Sequence, residues 1–416
     1  MPASQTRELV ANRPFMVLLV ARTISMLGMA FAPVALAFGV LQLPGSDAGE
    51  LSVVLAAQAL PLVAFMLIGG VVADRYPRSR VLLAGEWLAA LAWGSIGLMM
   101  LSGFAPLWLL SLAAALTGVA GAMIYPALSG IIPDLVPEEH RQQGNAWLAM
   151  GASSARLAGL VAGGAVVVWF GGGWAMLFAS VLYLVAGLLI CALPKVTGTL
   201  AGDQDTPIRQ LIDGWGEFVS RQWLWVVVVQ WSVMVMVLQA AHGVLGPVVA
   251  ETELGGAAAW TAILAGEAVG AIVGVAISMV WKPRRPILVA TLLTLSAGVP
   301  AVLLGSAFPL WTVIVAAFVM GVGFDLFGVL WMTTMQDEVP PESLSRVSSY
   351  DALGSMMLGP LGLVLAGPAT LMFGAHAALV GSGLIAIGTA GFALASPEVR
   401  RLESRRPSPA EVVEVA

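Results

Sequence analysis

Six ionisable side chains stand inside long apolar runs of this chain: Arg22, Glu86, Arg156, Glu267, Asp325 and Asp351. A charge in such a run costs a few kcal/mol on insertion scales, so each is a candidate for carrying a proton or holding a charged ligand. Asp325 lies 16 residues after Pro309 and ten before Met335, about 15 Å from the end of its run if helical. It is expected to be a proton or cation site. Glu267 sits ten residues into the eighth run, beside the stripe Gly266-xxx-Gly270-xxx-Gly274. The glycines read as a helix-packing seam, and Glu267 as a proton-coupling group or the counter-charge of a cationic ligand. Arg156, ten residues into the fifth run, is expected to pair with Asp325 or Glu267 or to bind an anionic group. Arg22, about two turns into the first run, is a cavity candidate whose long side chain can also snorkel to an interface. Glu86 and Asp351, only five or six residues into their runs, are expected at the interface or in a latch. Gln58, Tyr125, Gln230, Trp231, Gln239, Trp331 and His242 complete the candidate lining of a pocket. Most of the 14 Trp are expected to pack or to anchor at interfaces.

Other chemistries find no residues to carry them. The two lysines, Lys195 and Lys282, stand in no GxxxxGK[ST] loop, so a phosphate-cradling ATPase loop is excluded. A single Cys191 excludes an internal disulfide and a cysteine-rich metal site. His140, His242 and His376 match no metal-ligand spacing, and neither GxSxG nor HExxH occurs. No enzyme activity, cofactor, metal ion or nucleic-acid partner is expected.

The elements that must position these charges follow from composition. Apolar residues make up 59% of 416 residues and charged ones 10%, with mean hydropathy +0.92. A globular chain carries roughly half and a quarter, so this one cannot cover a water-facing surface. Apolar runs fall at 15–40, 50–73, 81–102, 106–132, 146–170, 174–193, 222–250, 259–281, 287–306, 309–335, 346–368 and 374–395. Twelve spanning helices of about 20 residues each are therefore expected, the lipid bilayer being the surrounding partner. The first run is too long for a cleaved signal and lacks a small-residue cleavage site. Placing both termini in the cytoplasm leaves 17 of the 19 Lys and Arg in inner segments, with Arg22 and Arg156 inside helices and none outside. Residues 194–221 read as a cytoplasmic linker between bundles 1–193 and 222–395, and 396–416 as a disordered cytoplasmic tail. Sliding the chain by 203 residues pairs Pro106-Leu107-Trp108 with Pro309-Leu310-Trp311, and Gly118, Gly159 and Gly164 with Gly321, Gly362 and Gly367. Seventeen of 59 ungapped positions coincide, which points to two parallel six-helix repeats of the transporter kind.

Between the second and third runs stands Gly70-Val-Val-Ala-Asp74-Arg75-Tyr-Pro77-Arg78-Ser-Arg80. Gly70 permits close helix approach, while Asp74 can pair with Arg78 or Arg80 and latch two helices. The segment resembles the G-x-L-A-D-R-x-G-R-[RK] signature of the major facilitator superfamily, with Pro77 in place of the usual Gly. Arg22-Thr-Ile-Ser25-Met-Leu-Gly28, Tyr125-Pro126-Ala127 and Arg156-Leu-Ala-Gly159 are similar to the drug/proton antiporter branch that includes macrolide and siderophore exporters. Leu160 stands where exporters often have Pro, and Gly359-Pro360 appears in the eleventh run instead. The resemblance covers residues 10–395. It implies a monomeric multi-pass transporter of a bacterial cytoplasmic membrane, exporting an amphipathic small molecule (drug, antibiotic or siderophore) in exchange for protons by rocking two bundles. Uptake or lipid movement on the same scaffold, and a membrane sensor without transport, are its alternatives.

Overall fold

The computed structural model describes residues 9, 11–137, 141–193, 215–281 and 283–403. Within them the side chains of 67–75, 126, 129–130, 132–134, 141–143, 145–146, 149, 279, 341–346 and 349 are left undescribed. Twelve helical segments are long and apolar enough to cross a membrane, and no strand occurs among the described residues. The first six are unbroken: α1 (Arg13–Leu41), α2 (Ala48–Arg75), α3 (Arg78–Ser102), α4 (Leu107–Leu135), α5 (Arg141–Phe170) and α6 (Gly172–Ile190). The seventh span begins with α7 (Gln222–Ala240), passes through a π-helical turn at Ala241–Leu245, and ends as α8 (Gly246–Glu253). The eighth is α9 (Ala257–Val280). The ninth is α10 (Pro286–Leu293), a 3₁₀ turn at Thr294–Gly298 and α11 (Val299–Gly305). The tenth is α12 (Leu310–Glu338). The eleventh joins the end of α13 (Pro341–Met356) to α14 (Gly359–Phe373), and the twelfth is α15 (Ala375–Ala395).

Local chemistry sets the ends. The Asn12 side chain caps α1 by accepting from the Phe15 amide at 3.2 Å. Left-handed turns divide the third run from the fourth, at Gly103 (φ 71°) after α3, and the ninth from the tenth, at Ala307 (φ 56°) after α11. After the last span, α16 (Pro397–Arg401) buries Val399, and the Glu398 carboxylate accepts from the Trp223 amide at 3.0 Å, capping the N-terminus of α7.

Two compact units emerge from the packing. One joins the first six spans with His242–Ala265 and Leu363–Ala375; the other holds the remaining parts of the second six. In the first, Phe15, Leu18, Val81, Leu82, Ile124 and Ile131 form a core at one end of the bundle. Near the other end the repeat-related pair Gly164 and Gly367 sits at close contacts. Gly164 faces the Thr261 side chain of α9, and Gly367 faces Gly49 and Ser52 of α2. The Ser52 hydroxyl donates to the Leu363 carbonyl and accepts from the Gly367 amide at 3.3 Å.

In the second unit, the glycine stripe of α9 meets α12 at matching four-residue intervals: Gly266 on Ile314, Gly270 on Phe318, Gly274 on Val322. A methyl at Gly270 would collide with the Phe318 carbonyl, whereas one at Gly381 would meet open space. Backbone cannot yield as a flexible side chain can, so overpacking at Gly270 is expected to cost about 1–3 kcal/mol. Gly270→Ala should lower the melting temperature of the purified protein, and Gly381→Ala should leave it within a degree or so on this scale.

Candidate functional site

In the second unit, α7, α12 and α13 enclose a cavity of about 320 Å³, within the usual range for small-molecule pockets. Phe324, Phe327, Gly328 and Trp331 repeat at helical spacing on one face of α12 and line it together with Asp325. From α7 come Val227, Val228 and Trp231; from the eleventh span come Asp351, Ala352, Ser355 and Met356. The aromatic rings are ordered against one another. Trp231 and Phe327 stack at 4.4 Å with their planes 10° apart, and Phe327 continues to Trp331 at 6.1 Å and 9°. Phe324 tilts onto Trp231 at 5.4 Å, and Trp223 meets Trp331 edge-on at 5.4 Å.

Two carboxylates share this cavity. Asp351 accepts from the Trp331 indole N–H at 3.2 Å and from the Ser355 hydroxyl at 3.3 Å, which fixes both its oxygens. Asp325 is half-buried on the same lining. Stacked aromatic faces beside two acids suit a desolvated cation, since each ring face attracts positive charge and each carboxylate can balance it or carry a proton instead.

Of the candidates read from the sequence, Asp325, Trp231 and Trp331 line this cavity. Asp351, expected at an interface or in a latch, lines it too: α13 starts at Pro341, so a polar first stretch carries Asp351 ten residues into its helix. Glu267 does not line it; it lies half-buried on α9, with its backbone against Gly321. The Gln230 amide is buried and donates to the Thr294 hydroxyl at 2.7 Å, at the 3₁₀ turn of the ninth span. Gln239 is exposed and lies near Gly359.

In the first unit, Gln58 donates to Thr117 at 3.0 Å and so ties α2 to α4. His242 lies within the π turn, its ring 6.1 Å from that of Trp260. Arg156 is exposed on α5. Arg22 is buried, and Glu86 lies opposite on α3 with only 1% of its surface exposed. The Ser25 hydroxyl donates to Glu86 Oε1 at 2.8 Å. Tyr125 is exposed, its hydroxyl donating to the Met29 sulfur at 3.4 Å. The side chains of Gly70, Asp74 and Arg75 lie outside the described residues; Arg78 is half-buried at the start of α3 and Arg80 is exposed. Sequence reasoning missed Phe324 and Phe327, although 324, 327 and 331 repeat at i, i+3 and i+7, which was the available signal.

Known proteins bear on this arrangement. The family model of the Major Facilitator Superfamily matches residues 15–363. The chain is similar to the multidrug efflux pump Tap of Mycolicibacterium fortuitum, 25% identical over 414 residues that cover 94% of this chain and 97% of that one. It is also similar to the enterobactin exporter EntS of Escherichia coli O1:K1, 24% identical over 355 residues and 82% of each chain. Among solved structures, a POT family transporter in complex with a thioalcohol-conjugated peptide matches with a TM-score of 0.72, over 93% of this chain and 96% of that one. At 13% identity that likeness is one of fold.

The Trp331–Asp351 bond yields a prediction independent of any ligand. Trp331→Phe keeps an aromatic ring in the stack and removes only the donor, so it should cost on the order of 1 kcal/mol, seen as a lower melting temperature. Asp351→Asn retains an acceptor for the indole and should cost less. A neutral result for Trp331→Phe would show that the indole does not hold the acid.

Proposed function

The chain belongs to the Major Facilitator Superfamily, a multi-pass membrane transporter and not an enzyme, and on that premise we propose that it exports an amphipathic small molecule in exchange for protons. The observation that carries this reading is the cavity in which Asp325 and Asp351 face the stacked rings of Trp231, Phe327 and Trp331. That lining favours a cationic drug or antibiotic, or a siderophore bearing positive charge, because ring faces and carboxylates both gain from a cation out of water. Protons enter as the partner ion because the same carboxylates can hold either a proton or the cation, so binding one releases the other. The names of the similar proteins, an efflux pump and an exporter, support the outward direction.

In this reading the six-helix bundles 1–193 and 222–395 rock about the site, joined by 194–221, with both termini on the cytoplasmic side of a bacterial inner membrane. Asp325 and Asp351 exchange the cation for protons, Glu267 and Arg156 adjust the charge along the pathway, and Asp74 with Arg75, Arg78 and Arg80 latches the cytoplasmic face. The chain acts as a monomer.

Cells expressing the chain should expel a lipophilic cationic dye, and a protonophore should stop them. Asp325→Asn should slow efflux by about tenfold or more, equivalent to about 1.4 kcal/mol. Phe327→Ala should weaken dye binding by about 0.5–2 kcal/mol. Efflux unaltered by Asp325→Asn and Asp351→Asn would refute the site. Protonophore-insensitive efflux would refute the coupling, and dye accumulation would reverse the direction. Dye binding without flux in proteoliposomes would select a sensor.

A further inference from the structure

A second acid lies apart from the aromatic cavity, within the first unit. Glu86 of α3 is 1% exposed, about as buried as the apolar core around it. Its Oε1 accepts from Ser25 of α1 at 2.8 Å, and its Oε2 has no hydrogen-bond partner among the described residues. Arg22, one turn before Ser25 on α1 and 8% exposed, lies within electrostatic reach of the carboxyl. From α6, Tyr183 acts on the same group, and it shares a hydrogen bond with Trp93 of α3. From α4, Tyr125 acts on both Arg22 and Tyr183.

A permanently ionised pair would be built differently. Removing two charges from water is repaid only when donors occupy the lone pairs of both carboxylate oxygens. Here, among the described residues, one oxygen accepts from a single hydroxyl and the other from no donor, so the site is incomplete for a fixed ion pair. It is also wrong for an inert core acid, since a buried arginine stands within reach to stabilise the carboxylate whenever the proton leaves. An acid with one bare oxygen has room for a proton there, and a nearby counter-charge supports the carboxylate once the proton leaves. Tyr125, 42% exposed, puts the edge of this cluster at the protein surface.

We propose that Glu86 is a second proton-carrying site, housed in the first unit, with Arg22 as its counter-charge and Ser25 as the donor that orients it. A proton taken from water on one side neutralises the Glu86 carboxylate and leaves the cluster with the single positive charge of Arg22. Its release to water on the other side restores the neutral pair, so one proton crosses per turn of this site. The inference rests on the proton-coupled reading above and adds to it a carrier that does not line the ligand cavity.

The test uses the full chain in lipid, with two readouts. The first is the infrared carbonyl-stretch band of protonated carboxyls in pH-difference spectra. Glu86→Gln is expected to remove one band, and Ser25→Ala to displace it. The second is the number of protons moved per dye in proteoliposomes, expected to fall by one in Glu86→Gln while dye affinity stays within twofold. Spectra of both variants identical to wild type would overturn the proposal, as would an unchanged proton count. Should Glu86→Gln not fold, the displacement by Ser25→Ala decides alone. If wild type moves dye without protons but the Glu86 band still titrates, the coupled-export reading fails while Glu86 remains a titrating site and loses its role as carrier.

Discussion

Inside a hydrocarbon layer no water is available to a backbone amide, so every one must find its partner within the chain. That constraint makes all twelve spans helical, and it restricts where they can break. The three interrupted spans lie in the second half, and each break is one in which donors find near neighbours. The seventh uses a π turn, the ninth a 3₁₀ turn, and the eleventh a short gap before Gly359-Pro360. The same constraint governs side chains. The Thr294 hydroxyl at the 3₁₀ turn donates to the Thr291 carbonyl and accepts from Gln230, so an irregular backbone is secured by a neighbouring span.

Charge is then placed where such partners can be supplied. In the second unit Asp351 receives two donors from its own cavity wall, and its neighbour Asp325 shares a lining made mostly of ring faces. In the first unit Glu86 receives one donor and the opposite charge of the Arg22 guanidinium. These are different solutions to one energetic problem. An exposed cavity tolerates acids because solvent or ligand can reach them, whereas a closed core tolerates one only with a counter-charge nearby.

Much of this was legible in the sequence, and the misses have a common cause. The twelve spans fall within a few residues of the apolar runs because Gly103, Pro106 and Pro309 punctuate them chemically. The glycine seams follow from their four-residue spacing, and Asp325 and Trp231 were found as an acid and an aromatic in apolar surroundings. Glu86 and Asp351 read as interfacial or latch groups by their depth in each apolar run, and burial in a core or a place on a cavity lining could not be read from that count. The helices begin earlier, at Arg78 and Pro341, in polar turns that hydropathy does not register. The π turn was invisible for a related reason: Ala-His-Gly-Val-Leu has no composition that sets it apart from a regular helix, and only tertiary packing selects it.

That turn has a genetic consequence. A π turn is one residue more than the α-helix needs, so everything beyond it is rotated by about 100° relative to an uninterrupted helix. The face of α8 is thus set by a single extra residue in the turn. Loss of any one residue from Ala241–Leu245 would straighten the span and swing Val249 and Ala250, now buried, toward a different neighbour. Deletions here should therefore be tolerated far less than substitutions, and an alignment gap at this position would separate chains that share a sequence pattern but not a helix face.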